Sequence, residues 1–348
     1  MSKDPSLINA VVVGFGLAGR AFHCYLIGLV PEINLYGVVS SRDETQQEIE
    51  KIGSRRFAHI NDVLSDEQVD LVVLATPNDL HAPQALAALS AGKHVVTDKP
   101  MCLNAVQAKT MIAAAQSNKK ILSVFQNRRW DWDFLTIQKA VKEGLVGNLV
   151  SLELSWNHPG KPRTWRSTAE HGGGRWLDLG AHMVDQSLQL VSSEVDRVYA
   201  QFFYQAIENN VEDHAHCLLT FANGTLAHIT ASSVARLPKR RWFVVGTQGT
   251  LIKRGFDPQE NAMKAGNIHL AKEHPRDYAQ IYYERNGKQE QLKVEPVPGR
   301  WISYYENIAD AILGKDKLIV SAESVHKVMR VLDAAAESAT HGKSITLT

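Results

Sequence analysis

Residues Val11-Val12-Val13 run directly into Gly14-Phe15-Gly16-Leu17-Ala18-Gly19. An apolar strand thus feeds a GxGxxG turn that opens onto a helix-compatible stretch. No other feature narrows the fold as much, because this strand–turn–helix belongs to a doubly wound parallel sheet built around a dinucleotide. Gly14 would permit the tight turn, Gly16 would let the backbone approach a pyrophosphate, and Gly19 would let the helix pack closely on the strand. The phosphates would sit at the helix N-terminus, where unpaired N–H groups and the positive dipole end favour anions. Gly14, Phe15, Gly16, Leu17 and Gly19 are therefore the expected nucleotide contacts.

The end of the second strand bears on which dinucleotide is bound. That strand reads Asn34 to Val39 and is followed by Ser40-Ser41-Arg42-Asp43. In NAD-binding units an acid about twenty residues past the glycines accepts the ribose 2′-hydroxyl. Ser41 stands where that acid is expected; its small hydroxyl leaves room for a 2′-phosphate, which Arg42 can meet with a planar, permanently charged fork. NADP is favoured over NAD on this reading. The alternative is a solvated turn in which Asp43 serves the ribose.

Apolar strands alternate with helical patterns near residues 8–13, 34–39, 70–75, 94–97 and 121–125, the rhythm of βαβ units. A helix after Pro83 is expected to stop at Gly92, and Asn104 is a candidate N-cap for a helix over 105–116. Beyond residue 125 apolar and polar residues alternate. Asn223-Gly224 and Asn286-Gly287 each sit between strand-like runs, a strong hairpin signal. Helices are expected near 133–143, 178–191, 303–313 and 322–338. At 348 residues two domains are natural: an N-terminal Rossmann domain over 1–124, and a C-terminal α+β domain over 125–348 with a large open, mainly antiparallel sheet. Such a sheet must cover one face with helices or another subunit, so a homodimer or homotetramer is expected.

The formal charge is +1 and the basic residues are dispersed, leaving no electrostatic footprint for nucleic acid. No apolar run approaches membrane-spanning length, and Met-Ser-Lys-Asp-Pro-Ser lacks the apolar core of a signal peptide, so a cytoplasmic location is expected. Cys24, Cys102 and Cys217 form no C-x-x-C pair and read as small core residues. Asp213, His214 and His216 look like a ligand cluster, but alternation on a strand explains them, and no metal is expected.

Three segments are candidates for chemistry at the carboxyl ends of the parallel strands. Thr76-Pro77-Asn78-Asp79-Leu80-His81 is either a cofactor loop, with Thr76, Asn78 and His81 as contacts, or an ordinary strand-to-helix turn. Lys99, in Asp98-Lys99-Pro100, can reach a substrate hydroxyl or the nicotinamide ribose, or be a surface lysine. Asp178-Leu-Gly-Ala-His182-Met-Val-Asp185 places two carboxylates and a histidine on one helical face. Histidine, with an ordinary pKa of about 6.5, suits proton transfer near neutrality; the alternative is an exposed Asp/His helix face, or a buried, satisfied histidine beside an N-terminal Asp cap.

Taken together, GFGLAG, ATPNDLH, VVTDKP, SVFQNRRWDWDFLT and DLGAHMVDQSLQL resemble the Gfo/Idh/MocA oxidoreductases, in order and spacing along nearly the whole chain. The NRRWD and DxGxHxxDQ segments are most similar to the branch containing NADP-dependent scyllo-inositol dehydrogenases. The resemblance implies a catalytic group of Lys99, Asp178 and His182, with Asp98 standing where many members have Glu. It implies hydride exchange with a secondary alcohol: His182 as base, Lys99 on the reacting oxygen and also beside the cofactor, and Asp178 orienting His182. Arg129, Asn157, His158, Asp178 and Asp185 are the expected contacts for a small polyhydroxylated substrate, with Arg163, Trp165 and Arg166 nearby. The run from Trp156 to Arg166 differs from the Arg/Tyr-rich stretch of inositol-active relatives, so a sugar, another cyclitol or a keto-sugar stays open. An NADP-binding sensor and a redox-assisted glycosidase on the same fold are the alternatives.

Overall fold

A computed structural model describes residues 6–160, 164–205 and 210–347. Arg163 and the first five residues lie outside the described residues. The chain forms two compact units. One runs to Gln126 and takes in Trp301–Lys327; the other comprises Asn127–Arg300 and resumes at Val328.

The first unit holds six parallel strands: β1 (Ile8–Val13), β2 (Ile33–Val39), β3 (Arg55–Phe57), β4 (Leu71–Leu74), β5 (His94–Thr97) and β6 (Leu122–Val124). Their order is β3-β2-β1-β4-β5-β6, so the direction of winding reverses between β1 and β4, where doubly wound sheets bind their ligands. Every residue of β1 and β4 is buried, as expected of central strands covered on both faces. Five of these strands fall where apolar runs mark them. β3 does not, because its three residues are Arg55, Arg56 and Phe57 and carry no apolar alternation.

The helix expected after Pro83 starts earlier, spanning Asn78–Ser90 with Pro83 inside it. Asn104 caps Ala105–Ser117 by accepting the Gln107 N–H at 2.9 Å. The chain re-enters this unit at Trp301, beyond the 1–124 block expected from the change of pattern near residue 125. Trp301 stacks on Phe22 at 5.8 Å, and Tyr304 and Tyr305 close on Phe125 at 5.0 and 5.9 Å. The Tyr304 hydroxyl also lies 2.8 Å from Ser123 Oγ. These large aromatic surfaces supply the burial that returns helix Ile302–Ile312 to the first unit.

The second unit is built on nine strands: β7 (Leu149–Asn157), β8 (Val195–Phe203), β9 (His214–Phe221), β10 (Leu226–Ser232), β11 (Trp242–Gly246), β12 (Gly249–Lys253), β13 (Gln280–Arg285), β14 (Lys288–Lys293) and β15 (Ile345–Thr346). They are ordered β14-β13-β12-β11-β7-β10-β9-β8-β15, with only β7 and β10 parallel. Asn286-Gly287 turns β13 into β14 with positive φ at both residues, +53° and +71°, as a two-residue hairpin of this twist requires. Asn223-Gly224 lies between β9 and β10. In β9, Ala215, Cys217, Leu219 and Phe221 are buried while His214, His216, Leu218 and Thr220 are half-buried. The period of two separates a core face from an outer face. Helix Ala181–Leu190 lies against β7 and β10 on the core side.

Candidate active site

The three glycines of the first turn have separable roles. Gly14 adopts φ +101°, and a Cβ there would lie 2.7 Å from the Ala75 carbonyl oxygen. A Cβ on Gly19 would overlap the Gly14 carbonyl. Around Gly16, in contrast, a Cβ would meet nothing within 4 Å. Two glycines thus permit internal packing and the third keeps backbone bare beside open space, the arrangement a pyrophosphate needs. The residues present therefore fit a dinucleotide. Phe15 is buried, Leu17 is exposed, and a π-helical segment, Ala18–Cys24, follows.

Arg42 ties this turn to the end of β2, donating from Nη2 to the Phe15 carbonyl at 2.8 Å. Ser41 is exposed beside it. In the loop after β4, Thr76 Oγ1 donates to Gln84 at 2.9 Å, and Asn78 is buried. His81 has no exposed surface; its Nδ1 lies 2.9 Å from the Pro100 carbonyl and its Nε2 3.0 Å from that of Thr76. Burial lowers its pKa, against the pull of Asp98, so the ring is neutral and donates to one carbonyl at a time. His81 thus links the Thr76 loop to the Lys99–Pro100 turn.

Lys99 stands on a buried chain of polar groups. Its N–H donates to Asp98 Oδ1 at 2.7 Å, Asp98 Oδ2 lies 3.7 Å from His23 Nε2, and His23 Nδ1 is 2.6 Å from the Tyr305 hydroxyl. Burial pushes the Asp98 carboxyl up, but His23, Lys99 and His81 together outweigh it and hold the group down at about 2. Asp98 is therefore an anion at any working pH.

In the second unit, Trp176–Gly180 forms a wide π-helical turn that continues into Ala181–Leu190. The expected single α-helical face is thus broken before His182, and π turns of this kind gather at functional sites. Asp178 lies in the wide turn, with Arg175 Nη1 at 3.5 Å and Arg166 Nε at 3.8 Å. His182 is buried, its ring near-parallel to Trp156 at 6.2 Å. Three residues on, Asp185 receives both Nε and Nη2 of Arg129, at 2.9 and 2.7 Å. Both side chains are buried, so these two expected substrate contacts are brought together as a forked ion pair. Asn157, at the end of β7, has a buried Oδ1 with no hydrogen-bond partner among the described residues, whereas His158 is exposed.

Several residues that shape this region carry no distinguishing signal in the sequence. Trp156 has the Arg128 and Arg241 guanidiniums at 4.7 and 5.2 Å from its ring centre and Phe256 at 5.2 Å. Arg241 in turn donates to Asp133 at 3.1 Å and Gln186 at 2.6 Å. His182 therefore rests on a buried, hydrogen-bonded base. Glu212 accepts the Trp176 N–H at the head of the π turn. Burial pushes its carboxyl up to about 7, against that hydrogen bond. The only sequence trace of this cap is Gly174, with φ +103°, where any Cβ would overlap the Glu212 carboxylate.

Residues 8–126 match the family model described as "Oxidoreductase family, NAD-binding Rossmann fold", and residues 134–252 match the "GFO/IDH/MocA C-terminal domain". The chain is 33% identical to the uncharacterized oxidoreductase YdgJ of Escherichia coli, over 98% of this chain and 99% of that one. It is 31% identical to the scyllo-inositol 2-dehydrogenase (NADP(+)) IolW of Bacillus subtilis, over 98% and 96%. Among solved structures, the Bacillus subtilis protein yvaA superimposes with a TM-score of 0.91 at 29% identity, covering 100% of both chains.

Proposed function

Because the chain belongs to the Gfo/Idh/MocA oxidoreductases, we propose that it is an NADP-dependent dehydrogenase or reductase acting on a secondary alcohol or ketone of a cyclitol or sugar. A scyllo-inositol-type polyol is the first candidate. The observation that carries the reading is His182, buried against Trp156 immediately after the wide turn that presents Asp178. An imidazole held this firmly is suited to move one proton at a fixed place.

When bound, the nicotinamide supplies or takes the hydride. In this reading His182 takes the hydroxyl proton in oxidation and returns it in reduction. Lys99, a cation on the anchored Asp98 turn, holds the same oxygen and stabilises charge developing on it. Asp178 orients His182 and accepts from a neighbouring hydroxyl, and the unpartnered Asn157 Oδ1 accepts from another. Arg129 and Asp185 satisfy one another and act by holding the His182 helix.

The preference for NADP is supported by the small side chain of Ser41, by Arg42 anchored on the nucleotide turn, and by the cofactor named for IolW. The half-buried outer face of β9 supports assembly with a second copy, as a dimer or tetramer.

Steady-state kinetics of two variants test the assignment. Lys99→Ala and His182→Ala should each lower kcat about 10²–10⁴-fold, while the affinity for reduced cofactor, measured by fluorescence titration, is largely kept. Unchanged turnover in either variant contradicts a catalytic role for that residue.

A further inference from the structure

The end of β3 places a second arginine beside the segment Ser40–Asp43. Arg56, whose side chain is 15% exposed, donates from Nε to the Ser40 carbonyl at 3.0 Å. Its Nη2 is 2.5 Å from Asp43 Oδ1, a carboxylate that is itself 94% exposed. Arg42 is anchored on the same residue, its N–H meeting Ser40 Oγ at 3.4 Å, while its guanidinium reaches the Phe15 carbonyl. β2 and β3 are parallel neighbours, with Val38 opposite Arg56 and Val39 opposite Phe57. Two guanidiniums from two adjacent strand ends therefore frame the place where the adenosine ribose of a dinucleotide lies.

We propose that Arg56 is a specificity-determining residue for the 2′-phosphate of NADP, and that Asp43 is an internal anion occupying Arg56 until that phosphate arrives. The proposal rests on the NADP reading and adds two residues to it. The asymmetry within the ion pair is decisive. Arg56 is fixed, being largely buried and bonded through Nε to the backbone, so its terminal nitrogens present a set fork. Asp43 is almost wholly exposed, so its carboxylate can turn into water and be solvated there. A phosphate monoester brings up to two charges and three acceptor oxygens, and it outcompetes one solvated carboxylate for a preorganised guanidinium. Asp43 then has the opposite role to the ribose-binding acid of an NAD site: it opposes the phosphate.

The test is equilibrium binding of NADPH and NADH, followed by fluorescence, to the full-length protein and two variants. Arg56→Gln should weaken NADPH about tenfold, the scale of one charge-assisted contact, with NADH unchanged. Asp43→Asn should tighten NADPH several-fold, again with NADH unchanged, and this exposed substitution leaves the fold intact. Equal losses for both nucleotides in Arg56→Gln would show a structural role and overturn the proposal. So would weaker NADH binding in Asp43→Asn, which would make Asp43 the ribose acid. A wild-type protein that binds the two cofactors alike would remove the underlying NADP reading. A wild-type preference for NADPH that neither variant alters would remove only the roles of Arg56 and Asp43.

Discussion

Gly16 and Gly19 are chemically identical and three residues apart, yet their surroundings predict opposite consequences for adding one methyl group. Gly19→Ala drives a Cβ into the Gly14 carbonyl and should destabilise the protein by about 1–3 kcal/mol, the usual range for overpacking. Gly16→Ala meets only open space, so the melting temperature should hold while NADPH affinity falls. Thermal unfolding beside cofactor titration separates the two, and equal melting points would contradict the assignment. The Arg129–Asp185 fork makes a similar distinction. Asp185→Ala removes both fork contacts of a buried guanidinium and should cost about 3–5 kcal/mol in denaturant unfolding. A change in KM alone, with stability kept, would instead make Asp185 a substrate contact. The residue types at these positions were legible in the sequence, and the glycine spacing pointed to the close backbone approaches at Gly14 and Gly19. The pairing of Arg129 with Asp185 was not legible, because neither of the two adjacent arginines at 128 and 129 carries a mark of its partner across 56 positions.

At the scale of elements, the helix that presents Asp178 and His182 depends on how its first turn is capped. Glu212 accepts the Trp176 N–H there and is pushed up to about 7 by burial. In the unfolded chain it titrates near its ordinary value, so between that value and about 7 the folded state holds more protons. This group's contribution to stability therefore falls as pH rises through that window and levels off above it. Glu212→Gln should remove this slope: the melting temperature of wild type, relative to the variant, should drop between about pH 5 and pH 8. A constant difference would contradict it. Apolar runs and turn residues made most strands and the Asn104 cap readable. The π turn at 176–180 was not, because its wide winding is imposed by tertiary partners such as Glu212 and by Trp176, whose indole donates to the Leu332 carbonyl at 3.2 Å. β3 escaped because sheet pairing, with its polar side chains at the edge, maintains it.

For the whole molecule, the sequence pattern marked the change of texture near residue 125 but not the return of Trp301–Lys327 to the first unit. Trp301, Tyr304 and Tyr305 are large aromatic groups at the start of a helix; which core receives them is decided by Phe22, His23 and Phe125, nearly two hundred positions earlier or more. The half-buried outer face of β9, with His214, His216, Leu218 and Thr220, predicts a dimer or tetramer by light scattering, and a monomer at all concentrations would contradict that assembly. Whether the protein transfers a hydride to or from a ring polyol is read most directly from the absorbance of reduced nicotinamide, with purified protein given NADP⁺ or NAD⁺ and a panel of inositols and aldoses. Reduction is expected with at least one ring polyol, faster with NADP⁺, together with reoxidation of NADPH by the corresponding ketone. No net reduction or reoxidation with any polyol or keto-sugar, despite tight NADPH binding, would contradict a dehydrogenase and leave a cofactor sensor or a redox-assisted glycosidase in its place.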